Sequence, residues 1–212
     1  MMTPQNIQLF FDTLEHAIPD AKTELNYKNP YTLLVAVVLS AQSTDKGVNL
    51  ATKLLFEHIQ TPTQMIHFGE ENLKTAIKTI GLYKTKAKHI IALSHILIEK
   101  FQGQIPTTRE DLESLPGVGR KTANVVLNVV FGEPTFAVDT HIFRVCNRTG
   151  LAPGKKPLDV EHTLEKVVPE KFRQNAHNLL VLHGRYTCKA LKPLCTHCPV
   201  NMLCAYYLAL IK

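Results

Sequence analysis

Four of the five cysteines crowd into one short stretch, Cys188, Cys195, Cys198 and Cys204, with six, two and five residues between them. Thiols packed this closely, with no secretory leader ahead of them, suit a metal centre better than disulfides. Four thiolates hold either zinc or a 4Fe–4S cluster. Zinc sites favour two close Cys-x2-Cys pairs, and only Cys195 and Cys198 form one, so the spacing alone leaves the metal open. Cys146 stands apart in a helical stretch and reads as a buried small residue.

A second group surrounds a glycine-rich turn, Leu115-Pro116-Gly117-Val118-Gly119-Arg120-Lys121-Thr122-Ala123. Pro116 sets the turn, and Gly117 and Gly119 permit backbone conformations closed to other residues. Without side chains they let a phosphate approach the N–H groups at the start of the next helix. Such a grip on a DNA backbone reads no sequence. Lys121 stands in that first turn. A lysine amine becomes nucleophilic at neutral pH only where its neutral form is favoured; the helix end, Arg120 and partial burial would act that way. A phosphate contact or a solvated side chain is the simpler reading from spacing. Asp139 precedes a helical stretch and reads as its N-cap, where a carboxylate is also held in place for chemistry.

The elements that must position these residues are helices. Apolar residues recur at spacings of three and four over 7–18, 31–41, 47–59, 70–80, 86–101 and 121–131, and later helices are expected over 140–149, 158–168 and 171–184. Proline and glycine break the pattern at Pro30, Gly81, Gly103–Pro106, Pro116–Gly119, Gly132–Pro134 and Pro153-Gly154. No strand pattern is present, and the fold class is all-α. Lys84 and Lys88 are four apart with Lys86 close by, a basic strip suited to phosphates.

Taken together the motifs resemble the endonuclease III family. The resemblance rests on the glycine-rich segment, Val138-Asp139-Thr140-His141, Leu39-Ser40-Ala41-Gln42-Ser43-Thr44-Asp45, Gly81-Leu82-Tyr83 and His183-Gly184-Arg185-Tyr186-Thr187-Cys188, and covers nearly the whole chain. It implies two helical domains with a DNA cleft between them. A six-helix barrel carrying the helix-hairpin-helix spans 21–132, and an iron–sulfur cluster domain joins 1–20 to 133–212. It implies a bifunctional DNA N-glycosylase and abasic-site lyase of base excision repair, acting on oxidised pyrimidines flipped out of the duplex. Lys121 matches the family's nucleophile, which forms a Schiff base with the sugar and permits β-elimination. Asp139 matches the carboxylate that stabilises positive charge on the sugar and assists proton transfer.

By the same resemblance the four cysteines hold a 4Fe–4S cluster, and the loop they pin presents Lys189 and Lys192 to DNA. Redox sensing is an alternative to this structural role. Gln42 and Leu82 match residues that enter the DNA stack, Leu82 as an apolar wedge and Gln42 toward the orphaned base. Lys84, Lys88, Gly117, Gly119, Arg120 and His141 fall at DNA-binding positions, and Asp45 and Glu113 near the substrate pocket. The implied partner is double-stranded DNA with damaged bases or abasic sites, bound by a monomer. Mismatch adenine glycosylases of the same fold lack the lysine, a non-catalytic DNA-binding module would not need Lys121 and Asp139 together, and a basic, hairpin-bearing chain this long suits an iron–sulfur electron carrier poorly.

Charge agrees with that partner. The net charge is +6, and residues 133–212 hold 11 Lys and Arg against 6 Asp and Glu. A basic segment suits a polyanion. The apolar run Tyr31–Ala41 is too short to span a bilayer, and the N-terminal segment lacks a basic stretch followed by an apolar one. The protein is expected in the cytoplasm, at the chromosome.

Overall fold

The segment Pro30–Ser40 is apolar almost throughout, and a helix apolar on every face is stable only when surrounded. In the computed structural model, which describes residues 1–211, every residue from Tyr31 to Leu39 is buried. Asn29 starts this helix with a capping box to Thr32, and Pro30 takes the first helical position. In chain order the helices are α1 (Pro4–Ala17), α2 (Pro30–Ser40), α3 (Asp45–Thr52), α4 (Leu55–His58), α5 (Pro62–Phe68), α6 (Glu70–Ala76) and α7 (Tyr83–Phe101). They continue with α8 (Arg109–Glu113), α9 (Arg120–Phe131), α10 (Thr140–Thr149), α11 (Pro157–Val167), α12 (Arg173–Tyr186) and α13 (Ala205–Leu210). Among the described residues there is no strand, and no helix is long and apolar enough to cross a membrane.

The chain divides into two compact units, Glu24–Phe131 and Met1–Thr23 with Gly132–Lys212. In the first, α2 lies in a core that includes Val48 of α3, Met65 of α5, Leu73 of α6, Ile90 and Leu93 of α7, and Val126 of α9. The hydroxyl pair Tyr31 and Ser94, 2.6 Å apart, ties α2 to α7 inside it. In the second unit α1 buries Phe10, Phe11 and Leu14, and Phe11 stacks on Phe172 with ring centroids 5.4 Å apart.

Several stretches differ from their periodicity, α8 and α13 among them. The pattern over 47–59 predicts one helix, but α3 and α4 are separate. The Thr52 hydroxyl bonds back to Val48 O at 2.9 Å, a contact that bends helices. The pattern over 70–80 outlasts α6 because Ile77 and Ile80 stay buried after the helix has ended. The periodicity gives no helix over 62–68, yet α5 is there. Thr61 and Gln64 form its capping box around Pro62, a start signal the sequence does carry.

Candidate active site and cluster site

The glycine-rich turn joins α8 to α9. Leu112, Leu115 and Val118 are buried beneath it, and the turn closes through Val118 N–H on Leu115 O at 3.1 Å. Arg109 Nε donates to Asn124 Oδ1 at 2.9 Å and holds the two helices together. The two glycines do different work. Gly117 has φ 79°, and a Cβ there would stand 2.9 Å from His89 Nδ1. Gly119 lacks a positive φ, and a Cβ there would meet nothing within 4 Å. The fold of the chain needs glycine at 117; at 119 a side chain would occupy only space that a ligand could use.

Gly117→Ala should therefore destabilise the protein by roughly 1–3 kcal/mol. Gly119→Ala should melt as the wild type does, within about 0.5 kcal/mol, and bind DNA several-fold more weakly. Melting curves and fluorescence anisotropy with an abasic-site analogue duplex measure both. Wild-type DNA affinity in Gly119→Ala would mean that no phosphate approaches this glycine.

Lys121 lies in the first turn of α9 and is exposed. The partial burial expected of it is absent. Arg120 is half-buried beside it. Glu113 is exposed at the end of α8, and Asp45 is half-buried in the first turn of α3.

Gln42 and Leu82 share an unusual backbone state. Ala41 (φ −56°, ψ 118°) and Gln42 (φ 56°) form a tight turn closed by Ser43 N–H on Ser40 O at 3.0 Å. This is the geometry of a type II turn, with Gln42 where glycine is usual. Leu82 has φ 59° and is 61% exposed. Left-handed backbone costs on the order of 1 kcal/mol for such residues, and an exposed leucine gains no core burial in return. Lys84 and Lys88 are exposed on α7. Lys86 does not belong with them: it is 5% exposed, and its Nζ donates to Leu39 O, Ala41 O and Ser43 Oγ at 2.8, 2.6 and 3.1 Å. Burial draws its ammonium below the ordinary lysine value. Residues 84 and 88 share a helix face, whereas 86 points away from it.

In the other unit, Asp139 is the N-cap of α10. Its Oδ1 accepts from the N–H groups of His141 and Ile142, both at 2.8 Å. Both bonds fall on one oxygen, which leaves Oδ2 outside the cap. His141 is half-buried, with Nδ1 3.2 Å from Arg144 Nη2. Gly184 lets α12 approach here, because a Cβ on it would stand 2.8 Å from His141 Cβ.

The four cysteines line one cavity together with Arg148 and His183. Among the described residues no three His, Cys, Asp or Glu side chains are grouped as a site for a single metal ion; the thiols surround a space. Polar groups meet the sulfurs, and in the thiol form Cys204 Sγ itself donates to Arg148 O at 3.6 Å. Arg148 Nη1 lies 3.7 Å from Cys188 Sγ and His183 Nε2 3.8 Å from Cys198 Sγ. Backbone N–H groups of Val200 and of Tyr206 and Tyr207 bond Cys198 and Cys204. Burial pushes the Cys198 thiol up to about 11 and raises that of Cys204, so thiolates in this cavity call for a bound cation. The donor set fits a cluster held by four cysteines. Burial also pulls His183 down to about 4, so its ring is neutral at pH 7. Cys146 is fully buried in α10, outside the cavity lining.

The loop after Cys188 is pinned by an arginine as well. Arg148 donates to Lys189 O at 2.6 Å and Ala190 O at 3.0 Å, and Arg144 donates to Cys188 O and Gly184 O. Lys189 and Lys192 are exposed on that loop, Lys192 with φ 50°. The two arginines are four apart on α10, the signal that could have marked them as a pair on one face.

Residues 35–170 match the HhH-GPD superfamily of base excision DNA repair proteins. Endonuclease III of Rickettsia conorii is 54% identical over 97% of this chain and 98% of its own. That of Escherichia coli is 57% identical over 89% of each. The chain belongs to the endonuclease III family. It is a DNA glycosylase and abasic-site lyase of base excision repair. The fold is also that of a solved endonuclease III–DNA complex trapped as a covalent intermediate, with a TM-score of 0.92 and 45% identity over all of both chains.

Proposed function

We propose that the protein removes oxidised pyrimidines from duplex DNA and nicks the strand at the abasic site, with Lys121 as nucleophile and Asp139 as its carboxylate. The observation that carries the reading is Lys121 itself: an exposed amine in the first turn of the helix behind the glycine-rich hairpin. A relative of the same fold forms a covalent intermediate with DNA, and an amine nucleophile accounts for such a link. Lys121 Nζ attacks the sugar C1′ as the bond from C1′ to the base breaks, and the base leaves with its electron pair and takes up a proton. Opening of the sugar ring gives the Schiff base. Loss of the C2′ proton then breaks the C3′–O bond by β-elimination, and hydrolysis frees the lysine. Asp139 stabilises positive charge on the sugar and handles protons.

Gly117, Gly119 and Arg120 take phosphates at the hairpin, aided by Lys84, Lys88, Lys189 and Lys192. The unit Glu24–Phe131 corresponds to the six-helix barrel and its companion to the cluster domain. Asp45 and Glu113 in one unit, and His141 in the other, serve substrate binding. The protein acts as a monomer on chromosomal DNA in the cytoplasm.

Gln42 and Leu82 fill the gap left by the extruded nucleotide. Two exposed side chains held in left-handed backbone support this, since the fold gains nothing from either. The wild type should release thymine glycol from a duplex and nick the strand, leaving undamaged duplex intact. Leu82→Ala should leave the melting temperature unchanged and slow base release by about tenfold, for loss of part of the unstacking energy. Cleavage at a preformed abasic site, which needs no base extraction, should suffer less. Equal losses on the two substrates would exclude a wedge, and inertness of the wild type toward thymine glycol would exclude the substrate class.

A 4Fe–4S cluster held by Cys188, Cys195, Cys198 and Cys204 would brace the loop after Cys188 and, through Arg144 and Arg148, the helix that starts at Asp139. The purified protein should be brown, with iron and sulfide and little zinc by elemental analysis. Cys198→Ser should lose iron and weaken DNA binding. Active protein that is colourless and zinc-loaded would contradict the cluster.

A further inference from the structure

The three acceptors of the Lys86 ammonium are Leu39 O, Ala41 O and Ser43 Oγ, which bracket Gln42 in sequence. They use all three of its donors. Two are carbonyls at the end of α2, where a helix leaves acceptors unpaired and carries negative dipole charge. A buried ammonium there stabilises one conformation of the turn, the one that holds exposed Gln42 at φ 56°. The backbone of the same residue serves the neighbouring turn: Lys86 N–H donates to Leu82 O at 3.0 Å and closes the first turn of α7 behind left-handed Leu82. The two turns lie side by side, since a Cβ on Gly81 would be 3.7 Å from Gln42 O.

We infer that Lys86 is a positioning residue for base extrusion, fixing the Gln42 turn and the Leu82 turn in one frame before DNA arrives. The inference rests on the proposed insertion roles of Gln42 and Leu82. The frame matters because a probe already held in its working geometry loses no freedom on entering the stack. A phosphate-contacting lysine would face solvent and would change affinity and salt dependence; a lysine with every donor committed inside the protein changes geometry.

The test is a double-mutant cycle on single-turnover rates, using duplex DNA with thymine glycol and duplex with a preformed abasic site. Lys86→Met should slow base release by about tenfold and abasic-site cleavage by less than about threefold, with DNA affinity and its salt slope unchanged. In a Gln42→Ala background Lys86→Met should add little further loss, because both changes remove the same probe. Ser43→Ala, which removes one acceptor and keeps the charge, should give a smaller loss with the same selectivity and stands in if Lys86→Met does not fold. A folded Lys86→Met, or failing that Ser43→Ala, that slows the two substrates equally, or whose loss adds in full to that of Gln42→Ala, overturns the inference. Gln42→Ala and Leu82→Ala that both release base at the wild-type rate would instead overturn the insertion roles.

Discussion

Lys121→Gln should abolish strand cleavage and borohydride trapping, with turnover down on the order of 10⁴-fold or more, as when a covalent nucleophile is removed. Its stability should change by less than about 0.5 kcal/mol, because Lys121 is an exposed helix residue and glutamine has similar helix propensity. DNA binding should persist. The hairpin offers its backbone N–H groups regardless of residue 121, and the phosphate grip is spread over many cations. Loss of one cation should lower the salt slope by about 1 if Lys121 also meets a phosphate. Single-turnover kinetics, anisotropy titrations at several salt concentrations and a melting curve separate the three quantities. A mutant that still cleaves at the wild-type rate would place the nucleophile elsewhere.

Asp139→Asn should lose roughly 10²- to 10⁴-fold in turnover while remaining folded. Both capping bonds fall on Oδ1, and an asparagine oxygen can accept both, since asparagine caps about as well as aspartate. What disappears is the charge and the second carboxylate oxygen. The stability cost is the charge's interaction with the start of α10, about 0.3–1 kcal/mol. Asp139→Ala adds loss of the cap, roughly 1 kcal/mol more. If turnover followed stability, falling little in Asp139→Asn and far in Asp139→Ala, the residue would be a cap alone.

Much of the fold and site was legible because the signals are local. The all-α class follows from apolar spacing, and the N-cap at Asp139 follows from an aspartate ahead of a helical run. The four thiols announce a metal centre, although only the family resemblance selects the cluster over zinc. What was not legible depends on long-range packing. The turn's own left-handed backbone asks for glycine at 117, but the added demand from His89, a partner on another helix, does not show in the sequence. Arg148 and the loop it pins are 41 residues apart. Leu82 reads as core by residue type, and nothing in a leucine announces a left-handed backbone that turns it to solvent. Lys86 stands beside Lys84 and Lys88 in sequence, whereas a helix separates it from them by face.

The covalent link between enzyme and DNA is the central claim, and borohydride reduction captures it. Wild-type protein incubated with duplex DNA containing thymine glycol, reduced with borohydride and digested should yield one peptide carrying a sugar remnant, attached to Lys121. Attachment at another amine, or no attachment while strands are being cut, would contradict the Schiff-base mechanism assigned to Lys121.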